Sequence, residues 1–138
     1  MNVSETLSSP SLALNAHLEA TKTGDAALLR RAFSKDARFV GTDDTEVWSI
    51  NKLAELLEST KGEGWEMKLT EERQFMAVFP GVISFLEFLT HVEYWLLRGS
   101  GVVCLDSSGQ WRIHDYVLSF SVPNEVVDHT NLLELLRG

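Results

Sequence analysis

Beyond Gly64 the chain changes character. Four β-rich segments, Trp65 to Val78, Val82 to Thr90, Tyr94 to Leu105 and Gln110 to Val122, follow one another with only short breaks. Pro80-Gly81 and Asp106-Ser107-Ser108-Gly109 carry strong turn chemistry, and His91-Val92-Glu93 marks a weaker break. Consecutive strands joined by tight turns pair antiparallel, so this half predicts a meander. The first half has helical spacing instead. Leu14, Leu18 and Thr21, with Ala13, Ala16 and Ala20 beside them, predict a helix over 11–22 that ends at Gly24. Asp25 caps a second helix, "DAALLRRAF", and "ARFVGT" reads as a short strand. Ser49 or Asn51 caps a third helix, "KLAELLEST", with Leu53, Leu56 and Leu57 as its buried stripe and Gly62 as its stop. Three helices with one strand inserted, then a meander, give an α+β layout with helices on one side of a curved sheet.

The length, 138 residues, suits one domain. Residues 1–10 are Ser-rich and end at Pro10, the pattern of a flexible arm; the domain occupies 11–125, and 126–138 form a tail that predicts a short helix through Leu132, Leu133 and Leu136. A hydrophobic share of 44% with 23% charged residues is close to the soluble globular average and favours neither the disordered nor the membrane class. A net charge of -8, with no basic cluster denser than Arg30-Arg31, argues against a nucleic-acid partner. The segment "GVISFLEFLTHVEYWLL" is broken by Glu87, His91 and Glu93, and the N-terminus lacks a basic, apolar leader pattern. The lone Cys104 has no internal partner for a disulfide and no neighbour at zinc-ligand spacing. The expectation is a soluble cytoplasmic protein with no membrane partner.

Residues opposite one another across an antiparallel pair share a face. Centring one turn on Ser107-Ser108 puts Ser100 opposite Asp115 and Val102 opposite Ile113; centring the other on Val92-Glu93 puts Glu87 opposite Arg98. Phe85, Glu87, Arg98, Ser100 and Asp115 then share one face, while His114 and Tyr116 lie on the other. Both faces remain largely apolar, which implies that both are covered: one by helices, the other by a second subunit. Glu87 and Arg98 neutralise each other on this register, leaving Asp115 over. A carboxylate in an apolar cavity has a raised pKa and suits general acid or base work; the alternative for Asp115 is a hydrogen bond with Ser100.

His17, His91 and His129 are scattered and give no metal site, and no cofactor is expected. "RGSGV" lies within a strand rather than at a helix N-terminus, so Gly99 and Gly101 read as a bend in the sheet rather than a phosphate loop. Cys104 reads as a core residue.

The stretches "FSKDARFVGTDDTEVW", "KGEGWEMK", "FLEFL", "RGSGVV" and "WRIHDYVLSFSVPNE" occur in that order. Together, over about residues 12–125, they resemble the SnoaL-like branch of the nuclear transport factor 2-like superfamily. The resemblance implies a cone-shaped barrel, a strongly bent antiparallel sheet wrapped around three N-terminal helices, commonly dimerising through the outer sheet face. Relatives on this fold include isomerases, cyclases, dehydratases, hydrolases, immunity and transport proteins. In the ketosteroid isomerase-like enzymes a carboxylate base follows the first strand, near Asp43 here. Runs that in the closer subgroup read acidic-Arg-Trp and Phe-Asp-Glu are Glu46-Val47-Trp48 and Phe85-Leu86-Glu87 in this chain.

Three functional readings follow. The first is a pocket between helices and sheet for an apolar or amphipathic small molecule, with Trp48, Trp65, Phe85 and Tyr94 supplying surface and Glu87, Arg98, Ser100 and Asp115 supplying polarity. The second is an acid/base enzyme of isomerase, dehydratase or hydrolase type. There Asp115 or Asp43 moves a proton beside a carbonyl, and Arg98 or Tyr94 steadies the oxyanion. Against this, Asp43 and Asp44 also read as turn residues that cap local backbone. The third is an interaction module without an active pocket.

Overall fold

The computed structural model describes residues 7–61, 63, 65–91, 96–128, 134 and 136. Helix α1, Pro10–Thr23, begins where Ser9 Oγ accepts the Leu12 N–H at 3.2 Å and Pro10 takes a first-turn position. It ends at Gly24, whose left-handed φ of 76° closes the last turn onto the Ala20 carbonyl. Residues 7–10, expected in a loose arm, are tied down: Leu7 is buried and its carbonyl accepts the Trp111 N–H at 2.7 Å. Helix α2, Ala26–Ala32, is capped by Asp25 and runs straight into strand β1, Phe33–Val40, which starts earlier than "ARFVGT" suggested. Strand β2, Val47–Ser49, leads into helix α3, Ile50–Thr60, capped by Ser49 rather than Asn51. The remaining elements are β3 Met67–Leu69, β4 Gln74–Phe79, β5 Val82–His91, β6 Leu96–Leu105, β7 Trp111–Phe120 and a short α4, Asn124–Asp128. Most of the closing helix expected through Leu132 and Leu133 lies outside the described residues.

One seven-stranded sheet has the order β2-β1-β7-β6-β5-β3, with β4 also paired to β5. β1 lies parallel to β7, and the other pairs are antiparallel. The sheet is bent and unclosed, a cone-shaped α+β architecture wrapped around the helices. What reads as one segment from Trp65 to Val78 is two strands on the same edge of β5, interrupted where the Arg73 side chain turns inward.

The register departs from expectation in both hairpins. Asp106 N–H donates to the Gln110 carbonyl at 2.8 Å and Asp106 Oδ1 accepts from Ser108 and Gln110, so this turn takes in Gln110 and is one residue longer than expected. Val103 therefore faces Ile113, and a bulge then inserts His114 before Val102 meets Asp115 and Ser100 meets Val117. Between β5 and β6 the slip is one residue: Glu87 faces Gly99, and Arg98 faces Phe88. A one-residue slip exchanges faces. Glu87, Phe85 and Tyr116 are buried on the inner face against the helices, while Arg98, Ser100 and Asp115 belong to the outer face.

The two strand glycines have a more specific cause than a bend. A Cβ on Gly99 would collide with the Tyr116 hydroxyl and stand 3.0 Å from Glu87 Cγ, so the absence of a side chain there lets those two groups meet. A Cβ on Gly101 would strike the Asp115 carbonyl beside the bulge.

Candidate functional site

A cavity of about 110 Å³ opens between α1, α3, β3 and the connection from β1 to β2. Its walls are Leu53, Leu56 and Leu57 of α3, Trp48, Trp65, Met67, Phe39 and Leu118, with Glu46 and Thr42 from the β1–β2 connection. The three leucines that the helical pattern singled out thus serve the cavity, Leu57 buried and Leu56 41% exposed. From α1 come two polar side chains, His17 and Thr21.

His17 is 1% exposed and ringed by aromatic side chains: Phe33, Phe39 and Tyr116 at centroid distances of 5.2, 5.8 and 4.6 Å. Burial, and then the positive charge of Arg73, lower its pKa to about 3, so the imidazole is neutral over the physiological range. Its Nδ1 lies 3.4 Å from Thr21 Oγ1, and its Nε2 is buried without a hydrogen-bond partner among the described residues.

Behind His17 sits a buried charge set. Arg73 Nε donates to Glu87 Oε1 at 2.8 Å, and the Tyr116 hydroxyl donates to Glu87 Oε2. Tyr116 also stacks on Phe39, with rings 5.4 Å apart and 6° from parallel. Burial raises the phenol's pKa, and the charge and hydrogen bond of Glu87 raise it further, so Tyr116 stays a donor. Arg73 Nη2 is left buried without a hydrogen-bond partner among the described residues, and none of the three groups lines the cavity.

The residues expected at the site separate into three groups. Trp48 and Trp65 line the cavity. Phe85 and Glu87 are buried deeper, Phe85 against Tyr116 at 5.5 Å and Glu87 with Arg73 in place of Arg98. Arg98, Ser100 and Asp115 are on the far side of the sheet. Arg98 is exposed and reaches Ser121 Oγ at 3.4 Å, whereas Asp115 takes a bidentate contact from Arg38 at 2.8 and 3.0 Å instead of bonding Ser100. Tyr94 lies outside the described residues. Asp43 is exposed in a tight turn, accepting both the N–H and the hydroxyl of Thr45 at 3.0 and 2.7 Å; these bonds lower its pKa, which makes it a weaker base. Cys104 is half-buried rather than core, and partial burial raises its thiol pKa.

The arrangement offers largely apolar walls, one neutral imidazole, the hydroxyls of Thr21, Thr42 and Thr60, and one carboxylate. That carboxylate, Glu46, already accepts the Asp43 N–H at 2.9 Å. Sequence reasoning passed over His17 and Arg73. For His17 a signal exists: it stands three residues after Leu14 and four before Thr21, in line with the buried stripe of α1. Arg73 closes the run "TEER", which carries no sign of burial.

The SnoaL-like domain profile matches residues 12–123. The chain belongs to the SnoaL-like domain family. No curated protein matches this SnoaL-like chain. Among solved structures it is similar to an uncharacterised protein with a cystatin-like fold from Caulobacter vibrioides, at 12% identity, covering 90% of this chain and 94% of that one with a TM-score of 0.69. A nuclear transport factor 2-like superfamily protein from Salmonella enterica is 16% identical, with 86% and 92% covered and a TM-score of 0.66. A ketosteroid isomerase-like protein from Erwinia carotovora atroseptica is 16% identical, with 86% and 98% covered and the same TM-score of 0.66. Likeness at this level of identity establishes the shared fold of the SnoaL-like and nuclear transport factor 2-like proteins. Among the described residues, no helix is long and apolar enough to cross a membrane.

Proposed function

We propose that this SnoaL-like chain binds a small, largely apolar molecule in the cavity between its helices and its sheet. The observation that carries the reading is a largely apolar cavity of about 110 Å³ walled by Trp48, Trp65, Leu53, Leu57 and Met67. Apolar walls with few polar groups are the usual composition of a small-molecule site. Asp115 lies on the outer sheet face and Asp43 is not among the residues that line the cavity, so of the carboxylates only Glu46, which already accepts the Asp43 N–H, borders it.

Trp48 and Trp65 make the test direct. Titration with benzene should change tryptophan fluorescence and shift the methyl resonances of Leu53, Leu57 and Met67, leaving those of Val102 and Val117 in place. No change up to millimolar benzene would overturn the reading. A homodimer through the outer sheet face belongs to the same proposal, supported by half-buried Leu86, Phe88, Val102 and Val117 on that face. Light scattering that gives the mass of one 15.5 kDa chain at micromolar concentration removes the dimer. A cytoplasmic location is likewise proposed, resting on the single thiol of Cys104.

A further inference from the structure

A second hollow, of about 260 Å³, opens where α2, β1, α3 and β7 meet, and it shares no wall residue with the cavity between helices and sheet. Its polar lining is Arg30 from α2, Ser34 and Lys35 from β1, Asn51 from α3 and Arg112 from β7. Acidic residues outnumber basic ones 20 to 12 in this chain, yet among the described residues no carboxylate lines the hollow. Chance would favour the opposite sign. Arg112 is already engaged: its Nε donates to Asp106 Oδ2 and its Nη1 to the Arg31 carbonyl, both at 2.7 Å. Those bonds fix the guanidinium and balance its charge. Arg30 and Lys35 have no carboxylate partner among the described residues, and Arg30 Nε stands 3.5 Å from Asn51 Oδ1, the outer limit of a hydrogen bond.

The hollow therefore brings together two positive charges without a counter-ion. Two helix ends also meet here, and they oppose each other: the C-terminal end of α2 is negative and the N-terminal end of α3 positive. The side-chain charges decide the sign. A phosphate monoester carries about −1.5 to −2 charges at pH 7 and matches both cations, whereas a carboxylate matches one. A net charge of -8 repels a polyanion or an anionic membrane, whose charge extends beyond the hollow, and leaves a small free ion as the ligand that fits. We propose that this hollow binds the phosphate group of a free small-molecule phosphate monoester through Arg30 and Lys35. Ser34 Oγ is tied to His114 Nδ1 at 2.9 Å, so the two cations carry the site. The proposal is independent of the apolar cavity.

Methyl phosphate, dimethyl phosphate and acetate separate a dianion from two monoanions. In NMR titrations of the full chain at about pH 7.5 and physiological ionic strength, methyl phosphate should give saturable shifts of the Arg30 Nε–H and of the Ser34, Lys35 and Asn51 amides. Dimethyl phosphate and acetate, with one charge in place of nearly two, should bind about tenfold more weakly. Arg30→Gln and Lys35→Gln should each weaken methyl phosphate about tenfold and leave benzene binding in the other cavity unchanged. Both side chains are exposed, so the fold does not depend on them. Arg98→Gln, exposed on the outer sheet face, should leave methyl phosphate affinity as it is. Shifts that rise without saturating at tens of millimolar, or that appear equally at Arg98, mean diffuse charge attraction and overturn the site. Acetate binding as tightly as methyl phosphate overturns the phosphate assignment. Sedimentation with phosphatidic acid vesicles, without a response to methyl phosphate, moves the phosphate to a membrane surface and overturns the free ligand.

Discussion

Two arginine–carboxylate pairs lie on opposite faces of the same sheet, and both close at 2.8 Å. Arg73 and Glu87 are 6% and 0% exposed, Arg38 and Asp115 58% and 27%. On the outer face water solvates each partner, competes for the contact and screens it, so such pairs contribute little. On the inner face water is excluded, and each charge depends on the groups built around it: Arg73 and Tyr116 for Glu87, Glu87 and the Ser11 carbonyl for Arg73. Equal bond lengths therefore carry unequal consequences. Surroundings set the energy of a contact, and its geometry alone does not.

The largest effect expected from breaking this comparison is Glu87→Gln. It keeps the shape and removes the charge, leaving the Arg73 guanidinium buried without its counter-ion. Urea denaturation should register a loss of about 3–5 kcal/mol. The double variant Arg73→Met, Glu87→Leu removes both charges and should recover most of that loss, since a buried pair often contributes little more than an apolar substitute. If the single variant costs less than about 1 kcal/mol, water reaches the pair and the contrast between the faces is smaller than the burial implies.

Tyr116→Phe tests the same set more gently. Only the hydroxyl is removed, the ring stacking on Phe39 is kept, and Glu87 Oε2 loses its donor. A hydrogen bond to a charged group is worth about 1.5–3 kcal/mol, and a loss in that range is expected. Gly99 bears on the same bond, because a side chain there would occupy the position of the Tyr116 hydroxyl.

Next comes the pH dependence of His17. The unfolded imidazole takes a proton near pH 6.5 and the folded one only near 3, so between these values the unfolded chain binds more protons. The stability due to neutral His17 is complete above pH 6.5 and is lost as pH falls toward 3, at up to about 1.4 kcal/mol per pH unit. Between pH 6.5 and 5 the expected loss from this group is roughly 1.6 kcal/mol. Urea midpoints of the native protein and of His17→Phe across that range isolate it, because the other titrating groups cancel in the difference. Parallel curves would show that folding does not change the proton affinity of His17, and that water reaches the imidazole despite its burial.

How much of this was legible in the sequence depends on the distance over which each feature is determined. Helix α3 is local: Ser49 caps it and Leu53, Leu56 and Leu57 share a face, so the pattern found the helix, while the stripe expected to be buried turned out to line the cavity, with Leu56 41% exposed. Trp48 and Trp65 follow, because they flank that helix in sequence. The faces of Arg98, Ser100 and Asp115 are not local. They depend on a turn that takes in Gln110 and on one extra residue, His114, in β7, and each such step reverses a strand's faces. The ordered resemblance to the SnoaL-like proteins conveyed the fold but carried no register. Arg73 shows the limit most clearly, since nothing within a polar run tells which of its charges will be buried.

The smallest effect is expected at the residue that sequence reasoning had put foremost. Asp115→Asn keeps the side-chain shape and removes the charge opposite Arg38, on the face away from the cavity. The urea midpoint should stay within experimental scatter of the native value, and benzene binding should not change. Any residual difference should vanish in 1 M salt, where the screening length falls to about 3 Å. The Glu87→Gln loss should persist in the same salt, because counter-ions do not reach a buried pair. A loss at Asp115 as large as that at Glu87, and equally indifferent to salt, would mean that water is excluded from the outer face as well. The single chain leaves Arg38 more than half exposed, so that cover would have to come from a second copy seated on the sheet. The two pairs would then be alike in burial as well as in length, and the difference between the faces would belong to the monomer alone.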